Sequence, residues 1–186
     1  MSAMDDARRA WIYSGLALAE NVGLVARPVE GAKKTPLVRE LAVFGDELAR
    51  GLGVPLRQLA GRRTVFGCYG RPESRLVDWV KKGWIAELAR SLKQPTLVLG
   101  AFQWDVGVDV RAMGEIEALL GPDNEVAWLV PPAVSLGVVA NVAELVFDPR
   151  RLFRSDELDL PLAPDGRHPT TVGYAGWAGA IWAWIV

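Results

Sequence analysis

The feature that most constrains the fold is a repeated order in which a short apolar run is followed by a longer amphipathic stretch. The runs LAVFG, RTVFG, TLVLG and EVAWLV begin at Leu41, Arg63, Thr96 and Glu125. Apolar runs without alternating polar residues are typical of parallel strands that are buried on both faces. With a fifth strand expected near residues 151–154, the sequence predicts an α/β fold, a three-layer α/β/α sandwich around a five-stranded parallel sheet.

The length and the pattern together predict the domain organisation. A chain of 186 residues is long enough for one core with a modest extension. We expect residues 1–36 to form an N-terminal helical arm and connector, and residues 37–186 to form the single domain. Helices are expected over 74–92, 113–120 and 170–184, and Thr170 or Thr171 is expected to cap the last one.

Composition excludes several classes of function. Lys and Arg number 21 and Asp and Glu number 22, so there is no positive patch that indicates binding to nucleic acid or to an anionic membrane. Cys68 and His168 are single residues of their kind and fit no metal-ligand spacing. We therefore expect neither a metal nor a cofactor.

Two long apolar stretches do not have the character of membrane spans. The stretch 126–143 contains the pair Pro131-Pro132, and the stretch 169–186 carries three glycines and no flanking positive charge. The N-terminal residues place Asp5 and Asp6 where a secretion signal has positive charge. We expect no signal peptide and a cytoplasmic location.

The later sequence blocks carry a family pattern. The order FGDELARGLG, GCYG, TLVLGAFQ, WLVPP and APDGRHPTTVGYAGWA resembles the SGNH/GDSL hydrolase superfamily from Leu41 to the C-terminus. The resemblance implies a flavodoxin-like sheet and ester hydrolysis. In that family a GDS serine is the nucleophile, a glycine and an asparagine complete the oxyanion hole, and a DxxH segment supplies the base and its partner.

Several residues match this pattern, but two chemically decisive positions do not. Asp165 and His168 match DxxH, and Gly70 matches the oxyanion-hole glycine. Glu47 stands at the nucleophile position. At the asparagine position an ungapped reading places Phe102 and a gapped reading places Gln103.

These departures predict that the ordinary esterase mechanism is lost. The family's serine attacks after histidine removes its proton, whereas a carboxylate is a poor acyl acceptor and places negative charge beside the developing oxyanion. We expect Glu47 to form an ion pair with His168 that raises the histidine pKa. The preferred interpretation is an inactive GDSL-like pseudoenzyme that serves as a binding or assembly module.

Hypotheses in which the protein is catalytically active remain open at this point. The chain is alternatively an active hydrolase of an acylated carbohydrate or another ester, with Glu47 as an engineered replacement for serine. In another version of that hypothesis, Glu47 and Asp165 form a carboxylate pair for general acid and base catalysis, as in glycoside hydrolysis. A Cys68–His168 nucleophile pair is a further hypothesis, set against the more frequent role of a lone cysteine as a small buried apolar residue.

Partner surfaces are predicted from aromatic and terminal segments. Trp79, Trp84 and Trp104 are candidate sugar-stacking platforms for a carbohydrate ligand. Gly51 and Gly53 resemble a phosphate loop too weakly to predict nucleotide binding. A protein partner is expected on the N-terminal arm or on the aromatic last helix, and a likeness of the C-terminal block to phage-encoded chains adds a virion-associated role. Trp128, Trp177, Trp182 and Trp184 are assigned to the core or an interface.

Overall fold

The computed structural model describes residues 40–62, 64–92, 95–104, 109–134 and 151–186. The predicted arm over residues 1–36 and the amphipathic stretch that begins at Ser135 lie outside the described residues. Among the helices that are described, none is long and apolar enough to cross a bilayer.

Five strands form one parallel sheet. They are β1 (Glu40–Gly45), β2 (Val65–Gly70), β3 (Leu97–Ala101), β4 (Glu125–Leu129) and β5 (Leu152–Phe153). Their spatial order is β2-β1-β3-β4-β5, and every neighbouring pair is parallel. The predicted five-stranded parallel sheet is confirmed. The strand that follows β1 in the chain, β2, lies on one side of β1, and the later strands lie on the other side, beginning with β3. In parallel sheets, ligands bind beyond the carboxyl ends of the two strands at which the strand order changes side in this way.

The second strand differs from the prediction. It extends from Val65 to Gly70, whereas the apolar run that predicted it covers residues 63–67. The local glycines favour a turn, but six residues of β2 pair in register with β1, from Val65 opposite Glu40 to Gly70 opposite Gly45. Pairing along a whole ladder outweighs the weak strand preference of glycine. The loop therefore begins at Arg71.

The helices follow the strands in the expected order. Residues 74–92 were predicted as one helix, but Gly83 adopts a left-handed φ of 72° and divides them into two. The last helix begins after Thr170, whose side-chain oxygen accepts a hydrogen bond from the N–H of Gly173 at 3.1 Å, as the predicted cap requires. The helices are α1 (Glu47–Ala60), α2 (Leu76–Lys81), α3 (Trp84–Ser91), α4 (Val110–Leu120) and α5 (Thr171–Ile185).

Both faces of the sheet are covered by packed side chains. On one face the ring of Phe44 makes edge contacts with Trp79, Phe102 and Trp128, at centroid distances of 5.1, 5.5 and 5.9 Å. On the other face α1 and α5 enclose a second apolar cluster that includes the fully buried Trp177. The three-layer arrangement is confirmed, and it leaves the carboxyl ends of β1 and β3 open to a cleft.

Candidate functional site

A cleft of about 450 Å³ lies at the carboxyl ends of β1 and β3. Its volume falls in the range of sites for small ligands. Residues from four segments line it: the turn after β1, the loop before α2, the segment after β3 and the loop before α5. The lining includes Asp46, Glu47, Glu73, Ser74, Gln103 and His168.

Gly45 allows the strands below the cleft to approach closely. Its φ is 147°, and a Cβ atom at this position would lie 1.7 Å from the carbonyl oxygen of Ala101. Only glycine fits such a contact. The Gly45 carbonyl oxygen in turn accepts the N–H of Arg71 at 2.8 Å, which fastens the loop after β2 to the end of β1.

Asp46 joins the turn after β1 to the segment after β3. It is 3% exposed. One carboxylate oxygen accepts the N–H of Leu48 at 2.8 Å and so caps α1, and the other accepts the N–H of Gln103 at 2.6 Å. Burial raises the pKa of Asp46 to about 6, although both N–H donors favour the ionised form.

Glu47, the residue at the nucleophile position, faces the loop after β2. Its Oε1 accepts the N–H of Glu73 at 2.7 Å. Glu73 has a φ of 59°, and among the described residues it is the non-glycine residue with a positive φ. The predicted ion pair between Glu47 and His168 is wrong: Glu47 accepts the Glu73 N–H, and the ion pair of His168 in the described residues is with Asp165.

Asp165 and His168 form the pair that the DxxH match predicts. The Nδ1 of His168 lies 2.6 Å from Asp165 Oδ2. Asp165 Oδ1 accepts the N–H groups of Arg167 and His168, and the Arg167 N–H and then the imidazole hold the pKa of Asp165 well below its usual range. An ionised carboxylate only accepts hydrogen bonds, so Nδ1 is the donor, and Nε2 is an acceptor whenever the ring is neutral.

Among the described residues that line the cleft, three buried side-chain polar atoms have no hydrogen-bond partner. They are Nε2 and Oε1 of Gln103 and Nε2 of His168, and all three are buried. In the described part of the chain no hydroxyl or thiol therefore donates to the imidazole. The arrangement lacks the nucleophile–base contact that activates a catalytic serine or cysteine.

The oxyanion-hole candidates occupy different environments. Gly70 does not line the cleft, and a Cβ on it would lie 2.8 Å from the backbone nitrogen of Arg50, so it allows close packing of β2 on α1. Phe102 is 2% exposed within the aromatic cluster and offers no side-chain donor. Of the two alignments left open, the gapped one brings an amide into the cleft, that of Gln103.

The two alternative catalytic pairs are not assembled. Cys68 is absent from the cleft lining, and its thiol instead donates to the carbonyl oxygen of Ala49 at 3.5 Å. Cys68 is also exposed rather than buried, because β2 is an edge strand, while partial burial of the thiol against α1 raises its pKa. Glu47 and Asp165 do not share a hydrogen bond, since the carboxylate of each is bound to other groups.

Sequence reasoning missed two cleft residues in the loop after β2. Glu73 supplies the N–H that binds Glu47. Ser74 is 8% exposed, and its Oγ accepts the Trp79 indole N–H at 3.0 Å and lies 3.5 Å from the Gly45 carbonyl oxygen. The signal available was their position between the second strand and the next helix, which is where parallel sheets place ligand-binding loops.

The predicted sugar-stacking tryptophans are not open platforms. Trp79 is 1% exposed and Trp104 is 3% exposed, so both belong to the core. Trp84 is partly buried, and the Arg71 guanidinium lies 4.3 Å from its ring centroid. The aromatic side chains on this side of the molecule pack against one another and against cations rather than presenting free faces.

The glycine pair of α1 has a packing role. Gly51 and Gly53 lie inside α1, where they make room for the Tyr174 ring and for Cys68 Sγ, so they do not form a phosphate loop. Within the described residues, no three His, Cys, Asp or Glu side chains are grouped so that they could hold a metal ion.

Comparison with known structures identifies the architecture. The crystal structure of a member of the lipolytic protein G-D-S-L family from Veillonella parvula matches with a TM-score of 0.58, over 77% of this chain and 95% of that chain, at 17% identity. The fold is that of a GDSL-family lipolytic protein. The GDEL run of the present chain, Gly45 to Leu48, forms the turn from the first strand to the first helix of this GDSL-like fold.

Comparison at the level of sequence is less extensive. No family model matches the chain. A putative S-adenosyl-L-methionine-dependent methyltransferase from Mycolicibacterium vanbaalenii is 40% identical over 78 residues, which are 41% of this chain and 26% of that protein. The chain thus spans about a quarter of the length of this curated relative.

Proposed function

We propose that this GDSL-like domain does not hydrolyse esters through a side-chain nucleophile and that its cleft serves as a ligand-binding module. One observation carries the proposal: the side chain at the nucleophile position is the Glu47 carboxylate, which is hydrogen-bonded to the Glu73 N–H and not to His168. A histidine base needs a hydroxyl or thiol proton to remove, and the described cleft presents none to His168 Nε2.

The chemistry of a carboxylate explains why the substitution is decisive. Attack by Glu47 on an ester would form an anhydride, which is a high-energy product. The negative charge of the Glu47 carboxylate would also repel the negative charge that develops on the carbonyl oxygen of the ester. Loss of one oxyanion donor alone typically lowers the rate by about 10²–10³, and loss of a triad member acts non-additively with it.

Other features support retention of a binding role. Gly45 and Asp46 hold the strand ends in a defined geometry, and the Asp165–His168 pair is formed at 2.6 Å. A second candidate function, ester hydrolysis by a water molecule that His168 activates, is favoured by this pair. Against it, neighbouring groups cover the Nε2 atom of His168, although the imidazole as a whole is 32% exposed.

Turnover of p-nitrophenyl acetate and of an acetylated glycan tests the proposal. The four proteins to compare are the unmodified chain, Glu47→Ser, His168→Ala and the double variant. We expect the unmodified chain to match His168→Ala, and Glu47→Ser to gain turnover that disappears in the double variant. Glu115→Ser, which replaces a carboxylate on α4 outside the cleft, is the matched control.

Each outcome separates the candidates. Turnover by the unmodified chain that is lost in His168→Ala would overturn the proposal and support hydrolysis through activated water. Turnover by Glu47→Ser alone identifies Glu47 as the cause of inactivity. If all four proteins are silent, the chain is inactive and the oxyanion position, with Phe102 or Gln103 in place of asparagine, is a second cause.

An assembly role is proposed for the segments outside the cleft. The arm over residues 1–36 is one candidate contact, and α5 is the other, since Trp182 and Trp184 are only partly buried and Val172 is 58% exposed. Sedimentation of the full chain and of Trp182→Ala tests self-association through α5. An unchanged sedimentation coefficient across concentrations contradicts that part of the proposal. A cytoplasmic or virion-associated location stays a prediction.

A further inference from the structure

The two edges of the sheet are protected to different degrees. One edge is β5, which consists of Leu152 and Phe153 alone, and short edge strands are a common protection against unwanted pairing. The other edge is β2, whose sequence VFGCYG has no charged residue and no proline. Within the described residues no strand pairs with its outer side. β2 therefore presents unpaired backbone groups without the side chains that usually prevent a further strand from adding.

The outward backbone groups of β2 follow from two contacts. Arg57 Nη1 donates to the carbonyl oxygen of Phe66 at 3.1 Å, so this carbonyl is turned away from β1. The N–H of Arg71 points the other way and donates to the Gly45 carbonyl oxygen at 2.8 Å. Because the backbone groups of alternate residues in a strand share a direction, the N–H groups of Phe66 and Cys68 and the C=O of Cys68 also face outwards. These are the groups that an added strand would bind.

A row of arginines on α1 and just after it flanks this edge. Arg50, Arg57 and Arg62 are exposed, and none of them makes an ion pair in the described part of the chain. Arg50 lies close to β2, since a Cβ on Gly70 would be 2.8 Å from its backbone nitrogen. The guanidinium of Arg57 reaches the edge itself. The composition, with a net charge of −1, did not predict this local concentration of positive charge.

The two faces of β2 determine which side chains of an added strand would meet the arginines. Cys68 Sγ donates to the Ala49 carbonyl oxygen at 3.5 Å, so Cys68 faces α1. Tyr69 faces the opposite side, where its hydroxyl lies 3.2 Å from Ser91 Oγ. Successive side chains of an added strand would alternate between the same two faces. Every second side chain would therefore lie on the side of the α1 arginines, where a carboxylate would find unpaired N–H donors.

We infer that β2 binds an extended acidic peptide, which adds to the sheet as a further strand and places alternate carboxylates beside Arg50 and Arg57. Backbone hydrogen bonds supply affinity in this kind of recognition, and alternate side chains supply specificity. Arginine suits the role, because its planar guanidinium binds a carboxylate through two N–H groups. The lining of the cleft includes no residue of β2, so the inference does not depend on the ligand-binding role proposed above.

Other occupants fit the same edge less well. Two β2 strands from two copies of the chain, paired antiparallel about a two-fold axis, would place both α1 helices on one face of the joined sheet. Their arginine rows would then lie beside each other, and like charges across an interface disfavour association. The arginines would also attract the phosphates of a nucleic acid, but phosphates offer no alternating N–H and C=O groups to pair with Phe66 and Cys68.

Three peptides of equal charge test the inference with the full chain. The first is fluorescein-labelled ETEVET, in which glutamate alternates with residues that favour strands. The second, EEETVT, has the same composition without the alternation. The third is ETEVET with every backbone nitrogen methylated, which keeps the carboxylates and removes the N–H donors. We expect ETEVET to bind most tightly, measured by fluorescence anisotropy, and higher salt to weaken its binding.

Neutral variants test the role of the arginines. We expect the double variant Arg50→Gln, Arg57→Gln to weaken ETEVET binding by about threefold to tenfold, the range for two exposed charge pairs. Arg111→Gln removes an exposed arginine from α4 and is the matched control, expected to bind as the unmodified chain does. We also expect ETEVET to slow hydrogen exchange at the N–H groups of Phe66 and Cys68, measured by NMR.

Several results would overturn the inference. They are no binding of ETEVET, equal binding of EEETVT or of the methylated peptide, equal binding by the double variant, and unchanged exchange at Phe66 and Cys68. Tighter binding of an oligothymidylate of the same length would assign the edge to nucleic acid, and a concentration-dependent dimer lost in the double variant would assign it to a second copy. None of these results depends on ester turnover or on a ligand in the cleft.

Discussion

The turn after β1 and the segment after β3 meet at the cleft, but they differ in whether their buried polar side chains are hydrogen-bonded. Both carboxylate oxygens of Asp46 accept backbone N–H groups. The side-chain amide of Gln103 has no partner, although its backbone N–H is one of the two donors to Asp46. One hydrogen bond thus joins Asp46, whose carboxylate oxygens both have partners, to Gln103, whose side-chain amide has none.

The difference separates a residue whose polar side-chain atoms serve the fold from one whose polar side-chain atoms do not. Asp46 and Gly45 fix the geometry of two strand ends, so substitutions there should destabilise the protein. The side-chain amide of Gln103 makes no hydrogen bond in the fold, so we expect Gln103→Met to raise the Tm and Gln58→Met, at an exposed position of α1, to leave it unchanged. Opposite signs of stability change in neighbouring residues are expected where function and folding compete.

The largest effect is expected for Gly45→Ala. The added Cβ would overlap the Ala101 carbonyl oxygen, and a φ of 147° is unfavourable for alanine. We expect the free energy of unfolding to fall by more than about 4 kcal/mol, measured by urea denaturation. Gly114→Ala in α4, where a Cβ meets no atom within 4 Å, is the control. Equal stability of the two variants would contradict the conclusion that Gly45 is required for the close contact between β1 and β3.

The second largest effect is expected on the pH dependence of the free energy of unfolding, through the titration of Asp46. Its pKa rises from 3.8 to about 6 on folding, so the folded state binds the proton more tightly. This contribution to stability is complete below pH 3.8 and is lost as the pH rises through about 6. The rise in pKa corresponds to about 3 kcal/mol.

Asp46→Asn removes this titration. We expect the unmodified chain, relative to the variant, to be more stable in acid than at neutral pH, by up to about 3 kcal/mol. Urea denaturation of both proteins over a pH series measures the difference, in which the titrations of other groups largely cancel. A difference that does not vary with pH would show that Asp46 is not the buried, titrating group described here.

The smallest effect is expected for Glu47→Gln. The amide oxygen of glutamine can still accept the Glu73 N–H, and the contact is exposed. We expect the free energy of unfolding to change by less than about 1 kcal/mol. The negative charge of Glu47 contributes to the raised pKa of Asp46, so the variant should shift the midpoint of the pH dependence downward. An unshifted midpoint would show that the two carboxylates do not interact.

The sequence predicted the elements whose causes are local. Uninterrupted apolar runs located the strands, and of the two predicted candidates for the cap of the last helix, Thr170 and Thr171, the cap is Thr170. Asp165 and His168 stand three residues apart in one turn, so the family pattern was enough to predict their contact. The aromatic core positions Trp128 and Trp177 followed from the apolar character of their segments.

The contacts that the sequence did not predict join distant segments. Glu47 and Glu73 are 26 residues apart, and Asp46 and Gln103 are 57 residues apart. Cys68 was expected to be buried, but its exposure depends on β2 being the edge of the sheet, which is a property of strand order. Which tryptophan faces are covered likewise depends on how the helices pack.

By itself the sequence determined the alternation of strands and helices, the residue types at the strand ends and the presence of Glu47 where the GDSL pattern has serine. Only the tertiary structure decided that Glu47 binds the loop after β2, and that the amide of Gln103 is buried without a partner. The physical reason is that apolar periodicity and capping act over a few residues, whereas the meeting of strand-end side chains is set by strand order, register and packing across the whole domain.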